Sequence, residues 1–138
     1  MSQGELSKST QAILKLDIEG SEWKALLACN NLSKFAVMVI EFHWLEETTS
    51  ASVLATVSEV FKNILLDFDL VHVHGNNFAR NIEIHDTFLP SVFEATFLNK
   101  KFTSETVSAP GNQIKPDSPN NPNLPELKLS DFWFSEHE

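Results

Sequence analysis

The first third of the chain contains two apolar runs separated by an amphipathic segment. The runs are residues 13–18, broken by Lys15 and Asp17, and residues 36–40, which are uninterrupted. Near-continuous apolar runs of this length are typical of strands covered on both faces, as parallel strands are. Gly20 ends the first run where a tight turn must lead into a helix. The order strand, helix, strand predicts a right-handed crossover between two parallel strands.

Acidic and histidine side chains follow both predicted strands. Asp17 and Glu19 end the first strand, and Glu41 and His43 end the second. Ligands of open α/β sheets bind outside the carboxyl ends of the strands, and neighbouring strands lie about 4.8 Å apart. We therefore expect Asp17 or Glu19 to lie near Glu41 or His43 and to form an acid–base cluster there. The alternative for the acids is helix capping, which we favour for Glu22 but not for Asp17.

The spacing of apolar residues predicts three further elements. Between residues 53 and 65, apolar side chains recur every three or four positions, which predicts a surface helix with one buried stripe. Residues 70–74 and 92–98 alternate instead, which predicts strands. The alternation of the last segment suits an edge strand of a mixed sheet.

Two histidines share one face of the strand predicted at residues 70–74. His72 and His74 are two positions apart, so they could bind a metal together. The further ligands available to such a metal are Asp17, Glu41, His43 and His85. Because no recognised ligand spacing is present, we favour hydrogen-bonded or half-exposed histidines and predict no metal site.

His74 is also a candidate base, because it ends its strand beside a polar turn. Asn76 and Asn77 follow it, and their amides could orient a polar substrate together with Glu41. Alternatively, the two asparagines form a turn that tolerates left-handed backbone, and this is the interpretation we favour for each of them individually.

The composition changes after residue 102. Residues 1–11 are a polar segment, residues 12–102 form the predicted α/β domain, and residues 103–138 are a tail rich in Pro and Asn. The end of this tail, residues 127–134, is too apolar for solvent. We expect it to fold back onto the sheet or to contact a partner.

Charge and length exclude several classes of function. The net charge of -9 argues against a nucleic-acid partner, because phosphates require clustered Lys and Arg. No segment reaches the roughly 20 apolar residues that cross a bilayer, and the start lacks a secretion signal, so we expect no membrane partner and a cytoplasmic address. A chain of 138 residues suits one domain.

Four ordered motifs run through residues 13–98. They are Leu-Lys-Leu-Asp-Ile-Glu-Gly-Ser-Glu-Trp at 14–23, Val-Ile-Glu-Phe-His at 39–43, Phe-Asp-Leu-Val-His-Val-His-Gly-Asn-Asn at 68–77 and Leu-Pro-Ser-Val-Phe-Glu-Ala-Thr-Phe at 89–97. In this order they resemble the C-terminal half of FkbM-type methyltransferases. Members of that family are S-adenosylmethionine-dependent enzymes with a Rossmann-like seven-stranded sheet.

The resemblance implies a fold and an activity. The fold would be three parallel strands plus an antiparallel last strand inserted between its neighbours, with flanking helices. The activity would be O-methylation of a small molecule or sugar, with S-adenosylmethionine as cofactor. Asp17 and Glu19 would line the crevice, His43 or His74 would be the base, and Asp17 and Gly20 would contact the cofactor.

The family's N-terminal half has no counterpart in this sequence. The four glycines are too far apart for a cofactor-binding turn, and eleven residues before Ala12 are too few for three strands with crossovers. We therefore expect half of a methyltransferase domain, which alone binds S-adenosylmethionine weakly or not at all. Its exposed first strand would pair with an N-terminal-half partner, self-associate or be covered by the apolar end of the tail. The alternative function is a non-catalytic interaction module or a relic of a methyltransferase domain.

Overall fold

The computed structural model describes residues 11–84, 87–102 and 117–129. Within these ranges the chain forms six strands and two α-helices. In chain order they are β1 (Ala12–Leu16), α1 (Glu22–Ala28), β2 (Phe35–Phe42), α2 (Ala51–Asp67), β3 (Phe68–Gly75), β4 (Asn81–Ile84), β5 (Thr87–Pro90) and β6 (Phe93–Asn99). Short 3-10 turns cover Leu32–Lys34, Leu45–Thr49 and Lys100–Phe102. Neither α-helix has the length and apolar character needed to cross a bilayer.

Four strands form one mixed sheet in the order β1, β2, β6, β3. β1 and β2 are parallel, and β6 runs antiparallel to both β2 and β3, so β3 has the same direction as the first two. Strands β4 and β5 pair as a separate antiparallel ribbon. The predicted mixed α/β class and the antiparallel last strand between its neighbours are thereby confirmed. The expectation of an edge strand at residues 92–98 is wrong, because β6 is paired on both sides.

The core lies between the two α-helices and one face of the sheet. Alternate residues of β2 and β6 are fully buried there, as the period of two requires. They include Met38, Ile40, Phe42, Phe93, Ala95 and Phe97. The stripe predicted on α2 is buried at Val57, Val60 and Ile64. Aromatic rings fill the space beneath the helices, with Trp23 stacked on Phe42 at a centroid distance of 4.7 Å.

The first strand is more exposed than its sequence predicts. β1 pairs only with β2 among the described residues, and Ile13 is 68% exposed. Leu14 and Leu16 are half-buried, while Lys15 lies in solvent. The prediction that this strand is covered on both faces is therefore wrong for the described part of the chain. Apolar residues indicate where a strand can be buried, but a neighbouring element must be present to bury it.

The end of the tail packs against β3, at the opposite edge of the sheet. His72 Nε2 lies 3.0 Å from Asp117 Oδ1, and His74 Nε2 lies 2.9 Å from Glu126 Oε1. Leu129 is buried in the core. The prediction that the tail folds back is confirmed for residues 127–129, although they do not cover β1, and residues 130–134 lie outside the described ranges.

The open edge of β1 generates a prediction about association. Unpaired amides and carbonyls on an apolar edge strand template pairing with another chain, and an added charge opposes it. We expect Ile13→Lys to lower the apparent mass of the protein in concentrated solution, measured by light scattering coupled to size exclusion.

The matched control is Leu54→Lys, which also places a charge at an exposed apolar position but lies on α2. Association through the β1 edge predicts a loss of mass for Ile13→Lys alone. Equal effects of both substitutions, or a wild-type protein that stays monomeric at all concentrations, would contradict it.

Candidate acid and histidine site

The polar groups at the ends of β1 and β2 converge, because the two strands are parallel and in register. Leu16, the last residue of β1, lies opposite Ile40, two residues before the end of β2, so the residues after the two strands lie at the same edge of the sheet. His43 Nε2 is 3.7 Å from Glu19 Oε2 and 4.0 Å from Glu41 Oε2. One ligand atom from each of Asp17, Glu19 and His43 lies within 4.8 Å of the others. The structure thus brings together all four side chains of the predicted cluster.

Glu22 connects the turn after β1 to His43 through hydrogen bonds, a role that its position in the sequence did not predict. The side chain is completely buried. Its Oε1 accepts hydrogen bonds from the backbone amides of Ile18 (2.9 Å) and Gly20 (3.2 Å) and lies 3.1 Å from His43 Nδ1. The capping interpretation is therefore replaced, since the amides it satisfies belong to the preceding turn. One signal was available: Leu26 lies four residues later, on the same buried helix face.

The contact with Glu22 determines which nitrogen of His43 faces the cluster. A carboxylate oxygen accepts hydrogen bonds, so Nδ1 donates to Glu22, and in the neutral imidazole Nε2 then carries the lone pair. The imidazole is itself 9% exposed. The backbone carbonyl of His43 also accepts a 2.8 Å hydrogen bond from Trp23 Nε1. His43 is thus fixed on both sides, with Nε2 directed at the carboxylates.

The turn that carries the acids has an unusual backbone. Glu19 and Gly20 have φ of 54° and 97°, and Trp44 has φ of 63°. The Trp44 indole lies over Gly20, and its Nε1 donates a 3.4 Å hydrogen bond to the Glu19 carbonyl. The Gly20 amide is bonded to Glu22 and an indole packs against its Cα, so this amide is already occupied. Gly20 nevertheless remains partly exposed and lines the neighbouring pocket, and its contact with a cofactor stays a prediction.

The remaining candidate residues are dispersed. Asn76 Nδ2 donates a 3.1 Å hydrogen bond to Glu41 Oε1, which connects it to the cluster. His74 lies opposite Glu94, which lies opposite Glu41. Two strand spacings separate His74 from Glu41 by roughly 10 Å. His74 is therefore not part of the cluster, and its contact is with Glu126 of the tail.

Asn77 also holds the tail. Its Nδ2 donates to the carbonyls of Asn121, Leu124 and Pro125, and its Oδ1 accepts from the Asn121 amide. The side chain is buried. The amide nitrogen and oxygen of Asn77 are thus both engaged within the protein, which places the residue in the contact with the tail, and its predicted contact with a substrate stays a prediction.

A pocket of about 410 Å³ lies beside the site. It is bounded by the turn at Gly20, by α1 and by the first residues of α2. Its wall combines the indoles of Trp23 and Trp44 with the side chains of Leu27 and Val53, and Lys24 and Glu47 add charge. This size is in the range of small-ligand pockets.

Comparisons of the chain with protein-family models, with curated proteins and with solved structures found no match.

The close contact of Gly20 with Trp44 generates a stability prediction. A Cβ at Gly20 would lie 1.9 Å from Trp44 Nε1, and the φ of 97° disfavours any L side chain. We expect Gly20→Ala to lower the free energy of unfolding by about 2 kcal/mol or more, measured by urea denaturation.

Gly75→Ala is the matched control. Its new Cβ would meet Leu129 Cδ2 at 3.3 Å, a contact with the end of a flexible side chain. We expect a change below about 1 kcal/mol there. Similar losses for the two substitutions would show that the indole does not constrain the turn.

Proposed function

We propose that this chain is the C-terminal half of an S-adenosylmethionine-dependent O-methyltransferase domain of the FkbM type, acting on a small molecule or sugar in the cytoplasm. The observation that carries the proposal is the position of β6. An antiparallel last strand between two parallel strands is what the resemblance implies for this part of the family fold, and β6 lies between β2 and β3.

The free edge of the sheet supports the same proposal. In a Rossmann-like sheet, β1 would be a central strand with neighbours on both sides. It has β2 on one side, and its other side is unpaired in the part of the chain that the structure describes. A cofactor-binding half would extend the sheet at this edge, and the carboxyl end of β1 would then adjoin the crevice between the halves.

The residues present do not complete a site for S-adenosylmethionine. Gly20 is covered by Trp44, and its amide is bonded to Glu22. Of the two cofactor contacts that the resemblance implies, only Asp17 is exposed. We therefore derive no step through the cofactor and assign to this chain only the acceptor side of the crevice.

The acceptor side is suited to binding and deprotonating a hydroxyl. His43 Nε2 has a lone pair directed at the crevice, and the buried Glu22 holds the ring in that tautomer. Carboxylates of Asp17 and Glu19 can orient a hydroxyl beside it. Such positioned general bases contribute typically about 100- to 10,000-fold to rate. The pocket lined by Trp23 and Trp44 would take the apolar part of the acceptor.

Two observations are compatible with the alternative, a non-catalytic interaction module. The occupied amide of Gly20 and the unpaired edge of β1 both fit a sheet that pairs with another chain. The two functions differ in what happens when a cofactor half is supplied.

The first test concerns the cofactor. We expect the chain alone to show no binding of S-adenosylmethionine in titration calorimetry at micromolar concentrations, because few polar groups remain to orient the ligand. Saturable micromolar binding would mean that a cofactor site exists within this chain.

The second test supplies the other half. The full chain is joined after the N-terminal half of an FkbM-type methyltransferase, and transfer of labelled methyl groups to a panel of sugars and hydroxyl compounds is measured. We expect turnover, slower amide exchange along β1, and a loss of about 100-fold or more in turnover for Asp17→Asn.

Glu59→Gln is the matched control, because Glu59 is an exposed acid on α2 far from the cluster. Its turnover should equal that of the unmodified fusion. A folded fusion with a protected β1 but no methyl transfer would favour the interaction module, and equal turnover of Asp17→Asn and Glu59→Gln would remove Asp17 from the mechanism.

A further inference from the structure

We propose that Asp17, Glu19 and His43 form a binding site for a divalent transition-metal ion, with Glu22 as the residue that positions His43. The proposal rests on the geometry of the described residues and does not depend on methyl transfer. It replaces our prediction that the chain has no metal site, which considered other ligand sets.

The three side chains present ligand atoms at suitable separations. One oxygen of Asp17, one oxygen of Glu19 and one nitrogen of His43 all lie within 4.8 Å of one another, and the Glu19 to His43 distance is 3.7 Å. Neighbouring ligands of an octahedral ion with bonds of about 2.1 Å lie roughly 3 Å apart. Asp17 and Glu19 are exposed, so small rotations of their side chains close the remaining distance.

His43 provides the observation that separates this site from an exposed acidic cluster. The residue is 7% exposed, and among the described residues no hydrogen bond reaches its Nε2. Its Nδ1 donates to the buried Glu22. A histidine that binds a metal through one nitrogen and a carboxylate through the other is the usual arrangement at protein metal sites, since the carboxylate fixes the tautomer and raises ligand basicity.

Charge favours a cation at this position. Glu41 Oε2 lies 4.0 Å from His43 Nε2, so a third carboxylate faces the same space. Glu22 is buried with its Oε2 free of any hydrogen bond in the described structure. A divalent cation would compensate these charges within a few ångströms.

The donor set indicates the class of metal. One imidazole nitrogen with two carboxylate oxygens suits Mn²⁺, Fe²⁺ or Zn²⁺, whereas Mg²⁺ and Ca²⁺ prefer oxygen ligands alone. An ion at this position would polarise a bound hydroxyl directly, and His43 would then act as a ligand instead of a base. The cation thus offers a second way for the same site to activate an acceptor.

The test uses the full chain and Mn²⁺, without cofactor or acceptor. Cys29 is exposed, and a thiolate is a soft ligand that would complicate the use of Zn²⁺. Loss of the electron paramagnetic resonance signal of free Mn²⁺ should reveal saturable binding of a single ion. Zn²⁺ should displace it, following the general order of affinities, and Mg²⁺ should compete poorly.

The position of the ion is tested by comparing the Mn²⁺ affinity of variants with that of the unmodified chain. We expect Asp17→Asn and Glu19→Gln each to weaken Mn²⁺ binding at least about tenfold, and Glu22→Gln to weaken it about 10- to 100-fold through His43. Glu59→Gln should bind like the unmodified chain. Because Asp17 and Glu19 are exposed, their variants keep the fold, which circular dichroism checks.

Two results would overturn the proposal: no saturable Mn²⁺ binding, or unchanged affinity in Asp17→Asn and Glu19→Gln. Unchanged affinity in Glu22→Gln would overturn the positioning role of Glu22. Since metal binding is measured without methyl transfer, its failure and the failure of the proposed function are separate results.

Discussion

The buried carboxylate of Glu22 is the group on which the geometry of the site depends. It lies at the start of α1, accepts hydrogen bonds from two amides of the turn after β1, and contacts the histidine that follows β2. Three elements are thereby joined at one side chain. Transferring a carboxylate out of water costs several kcal/mol, so such a group persists only where hydrogen bonds compensate it. Removing any one of its partners would leave a buried charge poorly compensated.

The backbone near Glu22 is also held in unfavourable conformations. Glu19 and Trp44 have left-handed φ values although neither is glycine. Such conformations cost of order 1–3 kcal/mol each and persist where surrounding contacts impose them. Here the contacts are visible: the Trp44 indole packs over Gly20, and the Gly20 amide is bonded to Glu22. The result is that Glu19 is held above Nε2 of His43 by a turn with little freedom to relax.

Local periodicity was sufficient to predict the elements but not their environment. The helix predicted at residues 53–65 and the strands at residues 70–74 and 92–98 are found within a few residues of α2, β3 and β6. The convergence of Asp17 and His43 also followed, because parallel neighbours end at the same sheet edge. The unpaired edge of β1 was expected from the resemblance, whereas the exposure of its faces could not be predicted from its apolar residues, since it depends on which elements pack over them.

Glu22 shows a different limit of sequence reasoning. A charged residue in a first helical turn most often serves the helix, and only the three-dimensional position of His43, twenty-one residues away, gives it another partner. The contacts of Asn77 with residues 121–125 are of the same kind. Both are polar contacts across long separations in sequence, and no local pattern encodes them.

The cluster of acids and His43 and the unpaired edge of β1 differ in whether they need further parts of a domain. The edge of β1 requires another strand if the sheet is to be buried. The cluster of Asp17, Glu19 and His43, in contrast, is complete with β1, β2 and α1 alone, because every contact that orients it comes from these elements and from the loops that join them. On our proposals, proton or metal chemistry at this site would therefore persist in the chain by itself, whereas methyl transfer would also need the surface that completes the crevice.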